Sequence, residues 1–190
     1  NATLHNYDIV HTLDIRVGDR VVVKRAGDVI PNVIGALTAE RNGSEKPIIP
    51  PERCPFCDTP IIRPEGAVDY YCPNTRCPER VFRQIEFFVS RAGLDIEGFG
   101  GQTVKTLIDK GLLHDEADVF SLTAEPLLEL DKFAEKKVNN LLAAIEAAKA
   151  RPLSQVITAL GIEGVGSTIA VDLANHFGSM DALQTATPAL

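Results

Sequence analysis

Three patterns of apolar and polar positions follow one another along the chain. The first is β-like. Val21, Val22 and Val23 form a β-branched run between the turn signals Gly18-Asp19 and Ala26-Gly27-Asp28, and a second apolar run, Val29 to Leu37, is interrupted by Pro31. Short strands between glycine turns predict a small barrel, and Pro31 with its neighbouring glycines opposes a helix here. Residues 39–53 carry clustered Gly, Asn, Ser and Pro and read as a linker. In the second pattern, PIIRPEGAVDYYC predicts two short strands around a Pro-Glu-Gly turn. The third begins at Val81, where FRQIEFFVSRAGLDI takes up helical apolar spacing that persists through the remaining chain.

The helical part repeats itself. Ile96-Glu-Gly-Phe-Gly100, Leu130-Asp-Lys-Phe-Ala134 and Ile162-Glu-Gly-Val-Gly166 align at separations of 34 and 32 residues. The register continues through Val104, Val138 and Ala170, then Leu107, Leu141 and Leu173. Each unit is a helix, a tight hairpin and a second helix. Glycine in such a hairpin permits backbone conformations that other residues resist, and it lets a foreign surface approach the peptide. The free N–H groups opening the second helix then form an anion site suited to a phosphate. The competing reading is a packing repeat without a ligand.

All four cysteines lie between Cys54 and Cys77, spaced as Cys54-x2-Cys57 and Cys72-x4-Cys77. Two close pairs joined by a hairpin place four thiolates at the corners of a tetrahedron, which suits Zn²⁺ in a closed, structural site. Pro55 and Pro73 follow the first cysteine of each pair and stiffen the turns. Iron accepts the same geometry. A thioredoxin-like redox centre is opposed by the lack of a βαβ pattern, and a disulfide framework by the lack of a secretory signature.

Composition narrows the classes. With 45% hydrophobic and 24% charged residues the chain has the make-up of a globular protein. No apolar run approaches a membrane span, so a cytoplasmic protein without membrane contact is expected. The chain opens on NATLHNYD and stops at TPAL, which reads as a piece of something longer. Charge bears on the anion site. The chain carries a net charge of −7, and from residue 96 onward seven Lys+Arg face thirteen Asp+Glu. A nucleic-acid binder working through side-chain charge would be basic there. Either backbone amides bind, aided by local lysines (Lys132, Lys136 and Lys137), or the helices only pack. Lys24 and Arg25 at the turn between the first strands can reach a phosphate or stand as a solvated turn.

Taken in order, ATLHN, DIRVGDRVVVKRAGDVIP, the CPFC…CPNTRC module and the repeated hairpins closely resemble the NAD-dependent DNA ligases of bacteria. The resemblance runs along the whole chain. It implies a multidomain α+β architecture: an OB-type barrel over 1–47, lacking its first strand, a four-cysteine zinc finger over 48–80, and an all-α helix-hairpin-helix domain over 81–190 with a truncated fourth unit. It implies zinc on Cys54, Cys57, Cys72 and Cys77. In the intact enzyme, NAD and Mg²⁺ serve to seal nicked double-stranded DNA, in a monomer of the bacterial cytoplasm and nucleoid.

By the same resemblance, Arg25 contacts the DNA backbone near the nick. Val29 and Ile30 press on the minor groove, while Gly98, Gly100, Gly164 and Gly166 approach phosphates. The family's adenylylated lysine sits in a Lys-x-Asp-Gly motif that this sequence does not contain, so no catalytic residue is expected here. Lys132 and Ala134 depart from the hairpin glycines, which points the second hairpin toward packing. A non-catalytic repair accessory built from the same modules is the alternative. A nuclease is opposed by the lack of clustered carboxylates.

Overall fold

The computed structural model of the chain describes residues 1–25 and 30–187, in two compact units, Asn1–Cys77 and Pro78–Leu190. The first unit opens with a helix that the apolar pattern does not announce, α1 (Tyr7–Thr12). Asn6 caps it, its Oδ1 accepting from the Ile9 amide at 3.0 Å. Strands β1 (Arg16–Val17), β2 (Val21–Lys24), β3 (Asn32–Ala36) and β4 (Lys46–Pro47) follow. They pair as two antiparallel ladders, β1 with β4 and β2 with β3. Strand β3 starts directly after Pro31, where a ladder donor is missing, and the β2–β3 register shifts between Val22 and Val23.

The core of this unit is small. Val10, Ile15 and Val33 are buried, with Leu4, Leu13 and Ile48 packed against them. The three valines of β2 are all exposed, at 36%, 42% and 47%. A fully buried side chain of this size contributes about 1.5–3 kcal/mol, so three of them hold the unit weakly.

A cluster of polar contacts adds to this core. Arg41 forms a two-pronged pair with Asp19, Nε to Oδ1 and Nη2 to Oδ2 both at 2.7 Å, and its Nη1 lies 2.6 Å from Asp14 Oδ2. Asp19 also accepts from the Arg16 amide at 2.8 Å. The Asp19 side chain is 1% exposed, and Arg41 holds its pKa down to about 2. The 39–53 segment is therefore not a plain linker. Arg41 and β4 tie it to the turn after α1.

The second unit is helical: α2 (Pro78–Val89), α3 (Gly101–Asp109), α4 (Ala124–Leu128), α5 (Glu135–Ala148), α6 (Leu153–Ala159), α7 (Ser167–Phe177) and α8 (Met180–Gln184). Its core is continuous and much larger, with Ile85, Val89, Val104, Leu107, Leu127, Val138 and Leu141 almost or entirely buried. The expected repeat register is the core register in the first two units, at Val104, Leu107, Val138 and Leu141; in the third, Ala170 is buried but Leu173 only half-buried. Helix α6 and the α5–α6 connection clip the segment just before the first hairpin: the Gln155 side-chain amide donates to Gly93 O at 2.8 Å and Arg151 Nε to Leu94 O at 3.1 Å. A β-carbon at Gly93 would stand 2.4 Å from Phe88 O, so only glycine fits that approach. Among the described residues no helix is long and apolar enough to cross a membrane.

Candidate metal centre and nucleic-acid interface

The cysteine quartet is assembled. Cys54 Sγ lies 3.8 Å from Cys77 Sγ, Cys57 Sγ lies 3.5 Å from Cys72 Sγ, and all four sulfurs fall within 4.8 Å of one another. Four sulfurs at about 2.3 Å from a tetrahedral Zn²⁺ stand about 3.8 Å apart, so the observed spacing fits the ion and is far too long for disulfides. Cys54 and Cys77 are buried while Cys57 and Cys72 are half-buried. Thr59 beside Cys57 holds that thiol down to about 6, and burial pushes Cys72 up to about 12. Such a set gives up protons when it takes a metal.

Local turns place the sulfurs. Asp58, at φ 56°, donates its amide to Cys54 O at 2.9 Å, and its carboxylate pairs with Arg53 at 2.8 Å. The two strands expected between the pairs reduce to one bridge, Ile62 with Tyr71, because Pro60 and Pro64 supply no ladder donors. A contact invisible to spacing joins the module to α1. Arg63 Nη1 meets Asp8 Oδ1 at 2.8 Å and lies 5.4 Å over the Tyr70 ring, which meets Tyr7 edge-on at 5.5 Å.

The three hairpins share one geometry. In each, the fourth residue donates to the first: Phe99 to Ile96 O at 3.2 Å, Phe133 to Leu130 O at 3.1 Å, and Val165 to Ile162 O at 2.9 Å. The third residue is left-handed every time: Gly98 at φ 79°, Lys132 at 67° and Gly164 at 79°. This is the position where glycine is cheapest, and another residue costs about 1–2 kcal/mol. The fifth residue is the helix N-cap and is extended every time: Gly100, Ala134 and Gly166 have ψ of 170°, 156° and 179°. None of the three supplies a side-chain cap.

The two glycines of a hairpin therefore differ in purpose. The first meets a backbone need. The second does not, since its φ is ordinary and a β-carbon at Gly100 or Gly166 would meet nothing within 4 Å. One acid was missed by pattern alone. Glu86, paired with Arg83 at 3.0 Å, brings Oε1 so close to Gly101 that a β-carbon there would stand 2.2 Å from it.

Of the remaining predicted site residues, Arg25 is exposed just past β2 and Ile30 is 66% exposed just before Pro31. The pairing of Lys24 with Asn32 brings both to one end of the β2–β3 ladder. Val29 lies outside the described residues.

Comparison with known proteins agrees domain by domain. Residues 1–45 match the NAD-dependent DNA ligase OB-fold domain, and residues 53–78 match the NAD-dependent DNA ligase C4 zinc finger domain. The chain carries domains of the NAD-dependent DNA ligase family. Residues 155–189 match a helix-hairpin-helix motif, so the third hairpin is recovered independently. A DNA ligase of Roseiflexus sp. (strain RS-1) is 48% identical over 188 residues, 98% of this chain and 26% of the relative. A DNA ligase of Chloroflexus aurantiacus is 47% identical over 187 residues, again 98% and 26%. DNA ligase 2 of Deinococcus deserti is 46% identical over 187 residues, 98% of this chain and 27% of the relative. The chain thus spans about a quarter of the length of the curated relatives it matches.

Proposed function

We propose that this chain is the DNA-holding portion of an NAD-dependent DNA ligase. It grips the sugar-phosphate backbone of nicked duplex DNA while the rest of the enzyme, with NAD and Mg²⁺, joins the 3′-hydroxyl to the 5′-phosphate. The working division is an OB-type domain over 1–47, a zinc finger over 48–80 and the hairpin domain over 81–190. Zinc on Cys54, Cys57, Cys72 and Cys77 fixes the second of these. Arg25 takes a backbone phosphate near the nick, and Val29 with Ile30 lies against the minor groove. Gly98, Gly100, Gly164 and Gly166 bring helix N-termini to phosphates. The protein acts as a monomer in the bacterial cytoplasm, on the nucleoid.

The observation that carries this reading is the pair Gly100 and Gly166. The fold leaves open space at both β-carbon positions, so nothing inside the chain requires glycine there. A surface pressed against the hairpin from outside does. Binding through amides also suits a unit whose side chains are net acidic.

The test uses the same positions. Aspartate is a favoured N-cap, so Gly100→Asp and Gly166→Asp keep or improve the helix starts while placing a negative charge where a phosphate would sit. Each lowers affinity for a nicked duplex by about tenfold or more. Ala134→Asp costs less, because an existing β-carbon already holds the strand off that turn. Unchanged affinity in both glycine variants, with the fold intact by circular dichroism, overturns the reading.

A further inference from the structure

The segment between the two cysteine pairs serves two contacts on adjacent residues. Ile62 and Tyr71 exchange amide hydrogen bonds, at 2.9 and 2.8 Å. One step from this bridge stand Arg63 on one arm and Tyr70 on the other, and directly after Tyr71 comes Cys72, a member of the sulfur quartet. The Arg63 guanidinium covers the Tyr70 ring at 5.4 Å, and the same ring meets Tyr7 of α1 edge-on at 5.5 Å. Three consecutive residues, 70–72, therefore link a metal ligand to a ring packed on α1.

Arg63 also reaches Asp8, 55 residues away and next to Tyr7 on α1. Nη1 donates to Oδ1 at 2.8 Å, and Nη2 donates to Oδ2. An ion pair with side chains 33% and 44% exposed contributes little when both are free to move. Arg63 is not free. Its Nε donates to Ala67 O at 2.7 Å, over the turn that the Ala67 amide closes on Pro64 O at 3.0 Å. With the fork already oriented, less side-chain entropy is lost on meeting Asp8. Helix α1 in turn supplies Val10 to the small core of the first unit. A connected path runs from Cys72 through Tyr70 and Arg63 to Asp8 and that core.

We infer that Arg63 and Asp8 are positioning residues for the metal centre: their clasp holds the Tyr70–Cys72 arm where zinc takes it up, and zinc in turn fixes α1. The inference rests on the reading of the quartet as a zinc site. Linkage makes the coupling reciprocal, so a clasp that favours zinc binding is favoured by zinc to the same extent.

The test measures zinc affinity of this chain by competition with a chelator of known affinity. Asp8→Asn and Arg63→Gln are each expected to weaken zinc binding about fivefold. The double variant is no weaker than either single one, because both remove the same contact. At saturating zinc, the Ile62 and Tyr71 amides exchange hydrogen several-fold faster in both single variants, since the arm opens locally. Asp19→Asn, which cuts a different carboxylate–arginine pair of the same unit, leaves those two amides as they were. Unchanged zinc affinity in Asp8→Asn, additive losses in the double variant, or unchanged exchange at Ile62 and Tyr71 overturns the inference and leaves the zinc site standing. Less than half an equivalent of metal in the unaltered chain overturns both.

Discussion

The side chain of Asp19 shows how one residue carries stability that a thin core does not. It is nearly inaccessible, doubly bonded to Arg41, and accepts from the Arg16 amide. Arg41, followed by burial and the Arg16 amide, sets its pKa, and the net effect is a drop to about 2 from an ordinary value of 3.8. A depressed carboxylate stabilises the fold above its unfolded pKa and loses that contribution as pH falls toward the folded one. The window here runs from about pH 4 down to about pH 2. Asp19→Asn is therefore expected to lower stability at pH 7, and the gap to the unaltered chain should close across that window. Tyr7, Tyr70 and Tyr71 are the chain's only tyrosines and all lie in the first unit, so near-UV circular dichroism reports this unit selectively. A gap that stays constant between pH 4 and pH 2 contradicts the assignment.

At the scale of elements, legibility followed periodicity. The third, helical pattern predicted the hairpins because apolar residues at 34- and 32-residue separations have to be buried together, and Val104, Val138 and Ala170 are all 0% exposed. The cysteine spacing gave the metal quartet because four ligands to one ion constrain the chain locally. Helix α1 escaped notice because six residues give too few turns for a period to show, and its cap was its one signal. Arg41 escaped for another reason: it is a single charge in a glycine- and asparagine-rich stretch whose partners lie 22 and 27 residues away. The second hairpin showed its lost glycines in the sequence, but not that its backbone keeps the same left-handed turn.

The zinc element makes its own prediction. A structural site contributes about 10–16 kcal/mol, far above the few kcal/mol from three buried core side chains. Purified protein is expected to hold one zinc per chain. A strong chelator, or Cys77→Ser, should abolish the tyrosine near-UV signal while the helical far-UV signal survives, because the second unit has a core of its own. Less than half an equivalent of metal, or loss of both signals together, goes against this division.

For the molecule as a whole, the question is what it does without the remainder of its relatives' length. Adenylylation by NAD requires a lysine nucleophile, and lysine becomes nucleophilic at neutral pH when it is desolvated or set beside another cation in a protected pocket. All eight lysines of this chain are exposed, and none begins a Lys-x-Asp-Gly sequence. Among the described residues, the one cluster fit for a metal is the cysteine quartet, whose four sulfurs leave no position open for a reacting phosphate. We therefore expect the chain to hold DNA and leave its activation to the rest of the enzyme. Incubated with NAD radiolabelled in its adenylyl group and Mg²⁺, it is expected to carry no label after denaturing electrophoresis. In the same buffer without NAD it should still retard a nicked duplex. A lysine-linked AMP on this chain would show that one of the exposed lysines is activated in a way the geometry does not provide. Binding without labelling is the pattern that a separate catalytic portion requires.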